Sequence, residues 1–416
     1  MPAQLVHDLI ADTVVSAPER AAVITAESVV SFGELDRASA ALAGWLDAHT
    51  ERGDRVAVVA DNGVPYALLY YAVPRAGRIL TLINQRLSPA EQAGLITVAQ
   101  PGVVFGAADQ LGALDPGGRL MVEFGGPEWQ RALDHPVFDG VRPQPDDAAW
   151  LVFTSGSTGV PKGAVHTHRS VAAGVWGSVE GRAVPDHDVY LFPFPMCHVA
   201  GYNVLVRHAT GSTVVLAERF RPDEFVTAVN THGVASCSLA PTMLHALLAY
   251  VESTGATMPS LREVAYGSAA IAADLIDRAA AVLGVDFHQG YGMTETAGNV
   301  TFLGPQDHRA GADILRSAGR PHSNVEVGVV DTAGRPQDFG QPGEVVVRGA
   351  QVMTEYWRDE TATAAALHDG WLRTGDIGRI DPDGRLWILD RAKDVIITGG
   401  ENVSSREVED ALSTHP

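Results

Sequence analysis

A chain of 416 residues, 46% hydrophobic and 19% charged, can bury a large core; its length exceeds what one core usually holds, so at least two subdomains are expected. Fifty Asp and Glu against 30 Lys and Arg leave a formal charge of −20, which argues against nucleic-acid partners and against a polybasic membrane patch. Cys197 and Cys237 lack metal-ligand spacing, no long apolar run occurs, and the N-terminus carries no basic-then-apolar leader, so the reading is a cytoplasmic protein without disulfide framework, structural zinc or integral membrane segment. A homodimer is left open.

From the N-terminus, residues 20–31 read as two short strands around a turn. Ser31 and Glu34 fit a capping box opening a helix with Phe32, Leu35, Leu42, Trp45 and Leu46 on its apolar side. Strand-like runs at Arg55–Ala60 and Ile79–Ile83 flank a helical stretch at Tyr66–Arg75, the alternation of a parallel, helix-covered sheet. Residues 111–147, rich in Gly, Pro and Asp, read as a loop-heavy connection, and Trp150–Phe153 as a buried strand. Further strands are expected at Val189–Pro193, Thr213–Leu216, Ala235–Leu239, Glu263–Tyr266 and Asp286–Gln289. Helices are expected near 168–182, 222–232, 241–254 and 272–283. From about 315 short β runs between Gly/Asp/Pro turns (Val325–Val330, Gly343–Arg348, Arg385–Leu389) predict a small antiparallel subdomain. The fold class is therefore α/β, with mainly parallel sheets in about 1–314 and a β unit in about 315–390. Residues 404–412 open a new amphipathic helix, so the sequence reads as cut inside a second domain.

The chemistry begins at Thr154-Ser155-Gly156-Ser157-Thr158-Gly159-Val160-Pro161-Lys162-Gly163. Hydroxyls, glycine-permitted backbone N–H groups and one ammonium can converge on an oligophosphate. The pattern is not a Walker A loop, because Pro161 precedes Lys162 and Gly163 follows it; a plain Gly/Ser connection is the alternative. Next comes Gly290-Tyr291-Gly292-Met293-Thr294-Glu295-Thr296, read as a loop after a strand, where α/β sheets bind ligands. Tyr291 can stack on a base, Thr294 can donate to phosphate and Glu295 can hold Mg²⁺; an ordinary turn is the competing account. Gly267, Ser268 and Ala269 follow a strand, and their small size lets a flat base lie against the backbone. Asp376, in Trp371-Leu-Arg-Thr-Gly-Asp, suits two ribose hydroxyls, and Arg391 a phosphate or ribose contact, although each short string alone would pass for a turn or a solvated charge run.

In this order the motifs resemble those of the AMP-forming adenylating enzymes: acyl-CoA synthetases, firefly-type luciferases and peptide-synthetase adenylation domains. The resemblance spans nearly the whole chain. It implies activation of a carboxylic acid by Mg·ATP to acyl-AMP, then transfer to a thiol, usually that of coenzyme A. Lys162, Thr294 and Glu295 would serve catalysis by neutralising and aligning two anions. The resemblance also makes Lys393 the hinge of a C-terminal lid beginning near 391, and Gly399 and Gly400 part of a loop lining the thiol tunnel. His198, in Phe194-Pro-Met-Cys-His-Val-Ala-Gly, matches a histidine bordering the acyl pocket, though a buried core histidine is the rival account. That segment lacks the Asp that amino-acid-activating relatives carry, and Gly292 stands where acetate-specific relatives have Trp. A medium-to-long fatty acid or a bulky, cyclic acid is thereby expected. The late lysine of the family has no counterpart before Pro416, so impaired catalysis is expected of these residues. Loading of a carrier-protein thiol, or a non-catalytic nucleotide- or acyl-adenylate-binding module, are the alternatives.

Overall fold

The computed structural model describes residues 3–154, 161–267, 271, 273–311, 313–391, 396–398 and 401–403, the last six of these positions and residue 391 by backbone alone. Two large sheets share one helical core. The first has seven strands and is parallel through Ile79–Leu82, Arg55–Val59, Val103–Gly106 and Leu120–Glu123. Val56, Ala57, Val58 and Val59 are all buried, as expected of a parallel strand covered on both faces. The second sheet has nine strands; Ala21–Ile24, Thr213–Leu216, Val189–Phe192, Ser236–Ser238, Glu263–Gly267 and Asp286–Met293 run parallel within it. Trp45, Tyr66, Tyr70, Tyr71, Trp150 and Tyr190 belong to the core between them.

The predicted capping box is present: the Ser31 hydroxyl accepts from Glu34 N, and Glu34 accepts from Ser31 N at 2.8 Å. The helices and strands expected between residues 168 and 389 fall within a residue or two of their predicted bounds, except where noted below; the helix expected at 404–412 lies outside the described residues. A small sheet of Val325–Val330, Gly343–Gly349 and Trp371–Ile380 is antiparallel, with Leu386–Arg391 paired to the last.

Two expectations need correction, and one helix was not foreseen. Residues 111–147 are loop-heavy as expected, though they also hold the strand Leu120–Glu123 and the helix Pro127–Leu133, fixed by burial of Val122 and Trp129. A second capping box, Ser88 with Glu91, opens the unforeseen helix Pro89–Ala99. Gly290–Met293 is not a loop, because Asp286–Met293 is one strand, paired antiparallel with Gly298–Leu303 across an irregularity at Tyr291/Gly292. Trp371–Asp376 is likewise strand, with Gly375 at φ +75° beside a second irregularity at Ile377/Gly378. The turn chemistry was real, but it bends strands instead of ending them.

Candidate active site

The strand Ala148–Thr154 lies beside Ile79–Leu82 and turns back as Lys162–Thr167, with Thr154 directly opposite Lys162. A hydroxyl and an ammonium therefore leave the same end of one hairpin. Residues 155–160, which hold Ser155, Gly156, Ser157, Thr158 and Gly159, lie outside the described residues.

The short strand Glu355–Tyr356 pairs with the second arm of the hairpin, Tyr356 opposite Ala164. That register sets Lys162 Nζ 5.1 Å from the centre of the Tyr356 ring, a cation–π distance. The Tyr356 hydroxyl in turn donates to Glu295 Oε1 at 2.6 Å. Burial, and then the Glu295 charge, push the Tyr356 phenol well above its ordinary pKa, so it stays a donor. Lys162 and Glu295, 133 positions apart in sequence, are thus linked through one ring. Thr294 is tied to the same hairpin: its carbonyl accepts from His166 Nε2 at 2.7 Å. Burial holds His166 down at about 4, which keeps the imidazole neutral at neutral pH. Tyr356 and His166 were not singled out in the sequence. Tyr356 lies in no motif and arrives by the pairing of distant strands, whereas His166 sits on the hairpin's own second arm and acquires its role from Thr294.

Across the site the Tyr291 hydroxyl donates to Asp376 Oδ2 at 2.6 Å. Asp376 is 8% exposed and its backbone N–H donates to Thr374 Oγ1 at 3.1 Å. Arg391 stands directly opposite Asp376 in the neighbouring strand; its side chain lies outside the described residues. Gly267 pairs with Gly290 at the ends of parallel strands, and a Cβ on Gly267 would come within 2.7 Å of the Gly290 carbonyl. Ser268 and Ala269 lie outside the described residues, as do Lys393, Gly399 and Gly400.

A cavity opens between these strand ends and the segment after Phe192. Phe194, Val199, Leu239 and Met293 give it apolar walls, while Arg182, Asn203 and Ser238 add polar ones. Gly292 lines it, but a Cβ there would sit 2.0 Å from the Gly298 carbonyl. Close strand approach therefore demands glycine there, independently of any need for pocket room. His198 is exposed and is not among the lining residues, although Val199 and Ala200 are.

Among the described residues no three His, Cys, Asp or Glu side chains cluster as a metal cage. A lone Glu295 with one oxygen engaged by Tyr356 suits Mg²⁺, which is held by one or two carboxylates and otherwise by phosphate and water. Among the described residues no helix is long and apolar enough to cross a membrane.

The family model for AMP-binding enzymes matches residues 10–357. A feruloyl-CoA synthase from an Amycolatopsis species is 35% identical over 413 residues, covering 96% of this chain and 81% of that protein. A 2-succinylbenzoate–CoA ligase from Bacillus subtilis is 32% identical over 401 residues, covering 96% and 80%. The solved Mycobacterium tuberculosis fatty acyl CoA synthetase superposes with a TM-score of 0.88 at 28% identity, covering 99% of this chain and 83% of that one.

Proposed function

Since the chain belongs to the AMP-binding enzyme family, with AMP-forming CoA ligases among its relatives, we propose a division of labour among its residues. The reaction is ATP-dependent activation of a carboxylic acid followed by thioester formation with coenzyme A, and its cofactors are ATP, Mg²⁺ and coenzyme A. The acid's carboxylate attacks the α-phosphorus of ATP and releases pyrophosphate; the thiol then displaces AMP from the acyl carbon.

Both reactants of the first half are anions, so the chain must neutralise and align them. The end of the Thr154/Lys162 hairpin supplies one hydroxyl and one positive charge to the phosphates. Thr294 supplies a second hydroxyl, and its backbone is held by His166. Mg²⁺, when bound, screens the phosphate charge, and Glu295 is the residue that would hold it. Tyr356 positions both Glu295 and Lys162. Tyr291 and Asp376 take the nucleoside, the carboxylate accepting from ribose hydroxyls. Lys393 as hinge, and Gly399 and Gly400 as thiol-tunnel residues, are proposed from the resemblance alone.

The acid would lie in the cavity beside Gly267 and Gly292. Apolar walls favour a bulky or cyclic acid, whereas the buried guanidinium of Arg182 opposes a plain alkyl tail of the fatty type.

The observation carrying this reading is the convergence of Lys162, Tyr356 and Glu295 from three separate elements. Lys162→Met is expected to weaken ATP binding by about 10-fold or more, the worth of a charge-assisted contact. Titration calorimetry with Mg·ATP checks this; unaltered affinity would remove Lys162 from the site.

A further inference from the structure

Arg182 caps the helix His168–Gly181 and is only 3% exposed, yet it lines the cavity. Its Nη2 donates to Asn203 Oδ1 at 2.5 Å, and its Nε–H is buried with no hydrogen-bond partner. A guanidinium carries five N–H donors, and Asn203 is the one acceptor it has among the described residues. Asn203 is itself fixed, its Nδ2 donating to the Ala200 carbonyl at 2.8 Å.

The neighbouring charges do not neutralise Arg182. Behind the cavity wall Asp188 and Glu263 are each 3.7 Å from Arg207. Asp188 also pairs with Arg262 at 3.1 Å, and Glu263 approaches His288 at 3.6 Å. Two carboxylates thus serve two other guanidiniums and an imidazole. Among the described residues Arg182 has no carboxylate within ion-pair reach, and no residue lining the cavity is acidic. A buried, under-satisfied cation of this kind is costly unless something pairs with it.

We propose that Arg182, oriented by Asn203, is the specificity residue for the far end of the acid: the substrate carries, away from its reacting carboxyl, a second carboxylate or comparable oxygen acceptor. This rests on the reading of the cavity as the acid's seat. The second anion would fill the free donors of the guanidinium in a dry site, where a charge-assisted pair is strong. A methyl-ended acid of equal length would bury the same cation against hydrocarbon.

The test uses residues 1–416 and measures binding, so turnover is not required. Three non-hydrolysable acyl-sulfamoyl adenosines with arms of equal length, ending in carboxylate, hydroxyl or methyl, are titrated calorimetrically alongside AMP. The expected order is carboxylate over hydroxyl over methyl, with at least about a 10-fold gap between first and last. Arg182→Met should abolish that gap, and Arg182→Lys should retain part of it. If the analogues all bind more tightly than AMP but equally with one another, the role of Arg182 is overturned while the acid seat stands. If none binds more tightly than AMP, the acid seat itself is wrong and the proposal goes with it.

Discussion

At the scale of single residues, one aromatic ring connects the two ends of the charge machinery. Tyr356 lies under the Lys162 ammonium and donates to Glu295. Removing its hydroxyl leaves a carboxylate that is 8% exposed short of one donor. Tyr356→Phe is therefore expected to weaken Mg·ATP binding several-fold while changing metal-free AMP binding little, because AMP makes no use of Glu295. Calorimetry with and without Mg²⁺ separates the two; equal losses would mean that Tyr356 only supports the fold. Lys162, Tyr291, Glu295 and Asp376 were legible in the sequence because each sits in a short string whose chemistry is local. Tyr356, His166 and Arg182 were not, because each acquires its role from a partner 61, 128 or 21 positions away.

At the scale of elements, strand pairing decides more of the site than loops do. The antiparallel pair Asp286–Met293 and Gly298–Leu303 carries Tyr291 toward Asp376 and brings Gly292 against the Gly298 carbonyl. Gly292→Ala places a methyl group 2.0 Å from that oxygen, so a strand must shift at a cost of about 3 kcal/mol. Chemical denaturation should register that loss; an unchanged midpoint would mean the pair is looser than described. Periodicity in the sequence located most parallel strands because burial on both faces makes them continuous apolar runs. It missed Lys162–Thr167 and Trp371–Ile380, whose Gly, Asp and charged residues resemble turns. Gly375, at φ +75°, supplies the turn chemistry inside a strand. The β stretch after residue 315 also does not keep to itself: Arg320–Pro321 pairs with Gly298–Leu303, and Glu355–Tyr356 with the Thr154/Lys162 hairpin. Such long-range pairing is invisible to a local pattern.

At the scale of the whole molecule, buried imidazoles tie stability to pH. Burial lowers His166, His168 and His208 from the ordinary 6.5 to about 4 each. Between those values the unfolded chain binds protons that the folded chain refuses, so stability falls as pH drops through that window and is level above it. The three together are worth roughly several kcal/mol. Urea midpoints at pH 7.5 and pH 5 should differ accordingly, the acidic one being lower; coincident midpoints would contradict the burial of these rings. Composition had limited the chain to an acidic protein with more than one subdomain, and it could not reveal that two sheets share one core. That depends on Trp150 of one sheet and Tyr190 of the other joining the helix residues Trp45 and Tyr70 in one buried cluster.

The central claim is that a nucleotide is gripped between the Thr154/Lys162 hairpin and the Tyr291–Asp376 pair, and a crystal structure with Mg·ATP tests it most directly. The account predicts phosphates within hydrogen-bond reach of Lys162 and Thr294, metal on Glu295 and ribose hydroxyls on Asp376. Nucleotide bound elsewhere, with those four side chains untouched, would contradict it.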